Sequence, residues 1–272
     1  MPCPEPLALG SRADFYAKTV STCIPDRSSS ILVVGAGEFD RDVFLRLDYR
    51  NVVLTNIDTS ATVSQFPPFE WQYQNAERLG YADESFDVVV THAALHHCRS
   101  PHRALLEMYR AARIGVLAIE SREGWLMKLL NRLHLTQAYE TTAVFYNEGK
   151  FAGVENSEIP NFIYRWTERE VEKTICSFAP EAAHHIRFFY GNDIPITPGL
   201  ERGGGLKTIA IRLLGPFYRL FARIFPRQQN LFGFWIPKPE MPQQLQPWLV
   251  WEEGKARFNA AWAEARYRQS AD

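Results

Sequence analysis

The sequence has 272 residues, of which 46% are hydrophobic and 22% charged, and its formal net charge is −1. This composition is ordinary for a globular protein that buries a full core, and the balanced charge gives no reason to expect a nucleic-acid partner. Four widely spaced cysteines without a CxxC pair, no secretory signal and no apolar stretch of about 18 residues lead us to expect free thiols and a cytoplasmic protein without a spanning helix.

Strand and helix patterns alternate over the first 120 residues. Residues 31–35 (ILVVG) are a continuous apolar run that ends in glycine, which is typical of a strand buried on both faces. Because strands and helices alternate, a parallel sheet with right-handed crossovers is predicted. Similar patterns predict strands at 52–57, 69–73, 86–91 and 114–119, and helices over 40–50, with Asp40 as the N-cap, and over 101–113.

The regular alternation stops after Glu120. Residues 121–165 begin as a helix and become irregular, and a second irregular insertion covers about 192–228. A helix is predicted over 167–178, opened by a capping box from Thr167 to Glu170. Two further strands are predicted at 185–190 and 230–236, and residues 239–272 are expected to be a linker followed by an amphipathic helix around 251–268.

A glycine-containing turn follows the first predicted strand. Gly35 and Gly37 would let the backbone turn sharply and approach a ligand, because neither carries a Cβ. About 20 residues further on, Asp58 could accept hydrogen bonds from both hydroxyls of a ribose, although a helix cap is the alternative. Together these features favour a cofactor that contains adenosine. The pattern for NAD needs a third glycine where Asp40 stands, so NAD is the second choice.

The segment ILVVGAGEFD, the acid Asp58 and the stretch from Asn75 to Arg113 together resemble class I S-adenosylmethionine-dependent methyltransferases. The resemblance covers about residues 30–120. It implies an α/β fold with a Rossmann-like seven-stranded methyltransferase sheet, helices on both faces and insertions on the substrate side, and it implies S-adenosylmethionine as the cofactor. The methyltransferase domain would cover 1–238, with core strands in 31–120 and 167–238 and lid insertions at about 121–165 and 192–228.

The resemblance also implies roles for individual residues. Three positions depart from the family pattern, since Val33 replaces an acid, Phe39 replaces a third glycine and Asn75 replaces an aspartate. An amide oxygen can still accept a hydrogen bond from the adenine amino group, and the alternative for Asn75 is a turn residue. In family terms, Gly35, Ala36 and Gly37 would approach the methionine part of the cofactor, Asp58 would hold the ribose, Asn75 and Ala76 would contact adenine, and Thr91 and His92 would line the methyl end.

Histidines crowd the turn after the fourth predicted strand. His96 or His97 is the candidate catalytic residue, because a hydroxyl acceptor must lose a proton and an imidazole can take it near neutral pH. A hydrogen-bonded structural histidine is the alternative. His92 and His96 would share a face if this segment were a helix, as a metal site needs. The segment follows a strand and precedes Pro101, so we expect a loop here and no metal site.

The two insertions are the expected substrate lid, because ligands of such folds bind over the carboxyl ends of the strands. Their many aromatic residues suit sugar rings, with packing onto the core as the alternative. Residues 156–166 are similar to a segment of methyltransferases of bacterial glycan and lipopolysaccharide assembly. Residues 206–225 are apolar with interspersed basic side chains, which suits peripheral contact with a membrane or with an anionic substrate; a solvated lid helix is the alternative.

The leading hypothesis is therefore S-adenosylmethionine-dependent O-methylation of a small molecule, a glycan or a lipid-linked sugar. An NAD-dependent oxidoreductase or epimerase is the second hypothesis, although the sequence has no Tyr-x-x-x-Lys pair in a suitable helix. A non-catalytic binding module with the same fold is the third, and the three departures from the family pattern favour it.

Overall fold

The computed structural model describes residues 12–59, 63–192 and 223–268, together with Phe217, Leu220 and Phe221. Within them, the strands are β1 (Ile31–Val34), β2 (Val52–Asn56), β3 (Glu70–Tyr73), β4 (Phe86–His92), β5 (Ala112–Ser121), β6 (Arg187–Gly191), β7 (Leu231–Pro237), β8 (Leu249–Glu252) and β9 (Lys255–Phe258). The α-helices are α1 (Arg12–Cys23), α2 (Glu38–Arg46), α3 (Pro101–Ala111), α4 (Trp125–Arg132), α5 (Thr141–Tyr146), α6 (Glu168–Phe178) and α7 (Ala260–Tyr267).

Seven strands form one sheet in the order β3-β2-β1-β4-β5-β7-β6. Strands β1 to β5 pair in parallel with their neighbours, whereas β7 runs antiparallel to both β5 and β6. Strand β6 therefore has the same direction as β1 to β5, and the carboxyl ends of these six strands lie along one edge. The predicted α/β class with a seven-stranded Rossmann-like sheet is confirmed.

Helices cover both faces of the sheet, as the buried strand patterns predict. All four residues of β1 are buried, because alternate side chains enter two separate cores. The core on one face includes Tyr16 of α1 and Phe44 of α2. The other includes Met108 of α3 and the fully buried Trp166, which directly precedes α6 and its N-cap.

The start of α2 differs from the prediction. The helix begins at Glu38 with Gly37 as its N-cap, so Asp40 lies in the first turn and is not the cap. The buried carboxylate of Asp40 accepts a hydrogen bond from the Gly37 N–H at 2.9 Å. An acid in the first turn is favourable because the helix exposes unpaired N–H groups there.

The C-terminal segment also differs from the prediction. A single helix was expected around 251–268, but β8 and β9 form a hairpin there and only α7 is helical. The physical reason lies in Glu253 and Gly254, whose positive φ angles of 51° and 76° make a two-residue turn between the paired Glu252 and Lys255. Helix α7 then starts at the N-cap Asn259, whose side chain accepts from the Trp262 N–H at 3.0 Å.

None of the helices in the described part of the chain is long and apolar enough to cross a membrane. Most of the segment 206–225 lies outside the described residues. Cys23, Cys98 and Cys176 are free thiols, in agreement with the expectation from their spacing.

An ion pair joins β5 to α6. The buried guanidinium of Arg122 donates to both carboxylate oxygens of Glu168, with its Nη2 at 2.9 and 2.7 Å from them. Glu168 also accepts from the Tyr190 hydroxyl at 2.6 Å. The predicted capping box is present beside it, since Thr167 and Glu170 exchange hydrogen bonds at 2.8 and 3.3 Å. This cluster fixes the start of α6 against the sheet.

We expect the substitution Glu168→Gln to destabilise the fold. It would leave the buried Arg122 without its charge partner, and breaking such a pair typically costs about 3–5 kcal/mol. Glu172→Gln is the matched control, because Glu172 is an exposed residue of the same helix. Chemical denaturation measures both variants, and equal midpoints would contradict the expectation.

Candidate functional site

Two neighbouring cavities lie at the carboxyl edge of the sheet, and we call them the first and the second cavity. The first has a volume of about 250 Å³ and the second about 240 Å³. Ala93 and His97 line both cavities and so form a shared wall. The first is also lined by Gly35, Asn56, Ile57, Gln74, Asn75, Ala76 and Glu77, and the second by Arg12, His96, Ser121, Met127, Glu140, Ile163, Arg165 and Asn230.

Gly35 is the point at which the turn after β1 meets the turn after β4. Its φ is +69°, and a Cβ added to it would overlap the Cβ of Ala94. Only glycine combines this backbone conformation with such a close approach. The loop is tied to β2 as well, since the Asn56 side chain donates to the Ala36 carbonyl at 2.9 Å. These contacts keep the first cavity open between the two turns.

The residues with predicted cofactor contacts occupy different positions around this cavity. Gly35, Asn75 and Ala76 line it directly. The side-chain oxygen of Asn75 accepts from the Glu77 N–H at 2.8 Å, so the residue also makes the turn that was its alternative role. Asp58 directly follows the lining residue Ile57, and its backbone N–H donates to Asn56 Oδ1 at 3.2 Å.

Four other predicted residues lie behind the cavity walls. Ala36 is buried and its N–H donates to the Thr55 carbonyl at 2.8 Å, while Gly37 caps α2. The Thr91 hydroxyl donates to the Val34 carbonyl at 2.9 Å and so joins β4 to β1. The contacts of these residues with a cofactor stay predictions, as do those of His92.

The ring of His92 packs against two aromatic side chains, which also contact each other. Its centroid is 4.6 Å from that of Tyr16 and 5.0 Å from that of Phe39, the residue that replaces the third glycine. Burial, together with the charges of Arg12 and His96, lowers the pKa of His92 to about 3. The ring is therefore neutral near physiological pH.

A buried carboxylate shapes the turn that carries the other histidines. Glu120, at the end of β5, is 1% exposed and accepts from the Ala94 and Leu95 N–H groups at 3.0 and 2.8 Å. Ala93 has a φ of 52°, a conformation that non-glycine residues rarely adopt and that structure elsewhere must maintain. The hydrogen bonds to Glu120 stabilise this strained turn.

His96 is an ion-paired cation within the same network. Its Nδ1 donates to Glu120 at 2.8 Å and its Nε2 lies 3.3 Å from Glu140. Burial opposes the charge, but the two carboxylates outweigh it and raise the pKa of His96 to about 9. Burial also opposes the charge of Glu140, yet contacts with His96 and His97 lower its pKa to about 2. Near neutral pH both side chains are charged.

His97 is the neutral partner of this pair. Burial and the positive charge of His96 lower its pKa from the ordinary histidine value. Its Nδ1 lies 3.4 Å from the Gly153 carbonyl, which can only accept, so we assign the proton to Nδ1. Nε2 then has a free lone pair and lies 3.6 Å from Glu140. His97 thus combines an available base with a nearby carboxylate.

The same side chains are close enough to hold a metal ion. One ligand atom each from His96, His97 and Glu140 lies within 4.8 Å of the others. The sequence predicted no metal site. Because His96 lies between Glu120 and Glu140, at 2.8 and 3.3 Å from their carboxylate oxygens, we interpret the cluster as an ion-pair network.

The sequence interpretation missed several residues of the site. Glu120 was seen only as the place where the pattern breaks, although an acid at the carboxyl end of an apolar strand is itself an unusual feature. Asn56, Glu140 and Arg165 had no local signal, because their partners lie 20 or more residues away along the chain.

Comparisons with known proteins agree with this architecture. Residues 34–119 match the family described as a methyltransferase domain. The YcgJ protein of Bacillus subtilis is a similar solved structure, with 14% identity, a TM-score of 0.51, and coverage of 84% of this chain and 99% of that one. The PH0226 protein of Pyrococcus horikoshii has 12% identity, a TM-score of 0.50, and coverage of 84% and 90%.

A chain from the complex of the Haloferax volcanii Trm112 methyltransferase activator with a methyltransferase has 14% identity, a TM-score of 0.50, and coverage of 84% of this chain and 90% of that one. Identities this low show a shared fold. No curated protein sequence matches the chain. The predicted resemblance to a methyltransferase domain and the predicted fold are confirmed.

We expect Gly35→Ala to weaken cofactor binding. The added Cβ would push apart two walls of the first cavity, and the positive φ alone costs about 1–2 kcal/mol in a non-glycine residue. Calorimetric titration with S-adenosylhomocysteine should show at least a tenfold loss of affinity.

Gly149→Ala is the control for backbone strain, because Gly149 has a φ of +71° and open space around its Cβ position. It should lose some stability but keep its affinity. An unchanged affinity in Gly35→Ala would contradict the assignment of the first cavity to the cofactor.

We also expect folding stability to fall as the pH rises from 6.5 to about 9. The folded state raises the pKa of His96 to about 9, so its stabilising charge is fully present below pH 6.5 and is lost as the pH passes the folded value. At about 1.4 kcal/mol for each pH unit, the loss is on the order of 3 kcal/mol. Denaturation at several pH values measures this slope, and His96→Gln should flatten it.

Proposed function

Because residues 34–119 match a methyltransferase domain, we propose that the protein transfers a methyl group from S-adenosylmethionine to a hydroxyl oxygen of a small molecule or glycan. The observation that carries this proposal is the wall shared by the two cavities, which is formed by Ala93 and His97. A donor in one cavity and an acceptor in the other would meet at this wall. Alignment of two reactants supplies much of the acceleration in such displacements.

In this proposal the first cavity holds the cofactor. The absence of a Cβ at Gly35 provides the space, and Asn75 and Ala76 line the end that would hold adenine. S-adenosylmethionine supplies an electrophilic methyl group on a sulfonium. Asp58, Ala36, Gly37, Thr91 and His92 are proposed to complete the cofactor site from the positions described above.

We assign His97 as the catalytic base. Its free Nε2 would accept the proton that the acceptor hydroxyl loses. Glu140, 3.6 Å away, would stabilise the resulting imidazolium. His96 is then a positioning residue, because both of its nitrogens carry protons and it holds Glu140 in place.

The remaining sequence-based expectations become proposals of the same kind. The domain division at 238, the lid role of the insertions at 121–165 and 192–228, and a cytoplasmic location belong to this group. Peripheral membrane contact through 206–225 is consistent with a lipid-linked acceptor, and liposome co-sedimentation of a variant without this segment tests it.

The activity test uses labelled methyl donor and a fractionated cell extract. His97→Gln should reduce the rate of label transfer roughly 10²- to 10⁴-fold, as the loss of a general base typically does, while the affinity for S-adenosylhomocysteine changes little. His134→Gln is the control, because His134 is exposed in the loop after α4. A fully active His97→Gln protein would contradict the base assignment.

The rate should also depend on pH in a way that identifies both histidines. Below the lowered pKa of His97 the base is protonated, so activity falls on the acid side of pH 6.5. Above about pH 9 His96 loses its charge and Glu140 its partner, so activity falls again. The substitution His96→Gln should remove the fall in activity above pH 9 and keep the fall at acid pH. A rate that does not change with pH at either end would refute these assignments of His96 and His97.

A further inference from the structure

The second cavity contains two arginines that form no ion pair among the described residues, although Arg12 and Asp40, and Arg165 and Glu123, interact through their charges. Arg165 donates from Nη2 to the Gln137 carbonyl at 2.8 Å, but its buried Nε has no hydrogen-bond partner. Arg12 forms no hydrogen bond or ion pair in the described part of the chain, and its Nε is buried as well. Both side chains line the second cavity.

Other arginines of low exposure are arranged differently. Arg122 is bound to Glu168, and Arg110 is bound to Glu107 and Asp83. Since an arginine withdrawn from water is normally paired, the two arginines of the second cavity are exceptions within the same molecule. Burial lowers the pKa of Arg165 and outweighs the opposing charge of Glu123.

The carboxylates around the second cavity do not neutralise the positive charge of these two arginines. Glu140 is the one carboxylate among its described lining residues, and it is already paired with the cationic His96. Glu120 lies behind His96 and already accepts hydrogen bonds from Ala94, Leu95 and His96. A net positive charge therefore remains on the walls.

The backbone around Arg165 is firmly held. The next residue, Trp166, is fully buried, and its N–H donates to the carbonyl of Ser121 at 2.9 Å. Its own carbonyl accepts from the Glu123 N–H at 2.9 Å. Arg165 is thus attached to the end of β5 and is presented to the second cavity from a fixed position, as a binding residue requires.

We propose that the acceptor is an anion, whose carboxylate or phosphate group is bound by Arg165 and Arg12 in the second cavity while its hydroxyl lies at His97. This inference rests on the proposed function, because it assigns the second cavity to the acceptor. Guanidinium groups bind both kinds of anionic group through charge-assisted hydrogen bonds. The anion would supply the ion-pair partner that neither arginine has among the described residues.

Calorimetry on protein saturated with S-adenosylhomocysteine tests the site directly. The probes are inorganic phosphate and D-glucuronate, with D-glucose as the neutral counterpart of glucuronate. We expect phosphate or glucuronate to bind and glucose not to bind. Arg165→Gln and Arg12→Gln should each lower the affinity for the anion at least tenfold, and Arg165→Lys should lower it less. Arg50→Gln should have no effect, because the Arg50 side chain is 84% exposed.

Three results would overturn the proposal. Equal binding of glucose and glucuronate would show that charge is not recognised. Unchanged anion binding in Arg165→Gln would place the anion elsewhere. A tenfold loss of S-adenosylhomocysteine affinity in Arg12→Gln and Arg165→Gln would show that these arginines bind the carboxylate of the cofactor. Thermal unfolding of each variant separates these outcomes from a failure to fold.

The extract assay adds an independent arm. The fractions that accept labelled methyl should be retained on an anion-exchange resin at low salt, and acceptor activity confined to the unbound material would contradict the proposal. The proposed function fails separately: if no fraction accepts label but glucuronate binding still depends on Arg165, methyl transfer is refuted and the anion site stands.

Discussion

The carboxylate of Glu120 is the constraint on which the site depends. It is buried at the carboxyl end of β5, and it accepts hydrogen bonds from two backbone N–H groups and from His96 of the turn that follows β4. A buried charge without such partners would cost several kcal/mol, so the turn and the carboxylate stabilise each other. The strained Ala93 and the close contact of Ala94 with Gly35 both follow from this arrangement.

From this carboxylate a chain of charges continues into the second cavity. His96 transmits the effect of Glu120 to Glu140, and Glu140 lies beside the neutral His97. Because each member alters the pKa of the next, His96 is cationic while the neighbouring His97 is neutral. The two residues are identical and adjacent in the sequence, and only their tertiary partners distinguish them.

The sheet could be predicted from the sequence because its strands are apolar runs whose burial needs no distant information. The same holds for the capping box at Thr167, which is local chemistry. The ion-pair network could not be predicted, since Glu140 approaches His96 only after the insertion has folded over the sheet edge. The hairpin at Glu253 and Gly254 was missed because its helix-like spacing of apolar residues outweighed the Gly turn signal.

Strands β6 and β7 pair in an antiparallel ladder that begins with Gly191 opposite Leu231. The ends of the long connection 192–230 are therefore fixed against each other at the sheet edge that bears the cavities. Closing a longer connection between fixed ends costs only about 0.6 kcal/mol for each doubling of its length. The length of this connection can therefore change with little effect on the stability of the strands that anchor it.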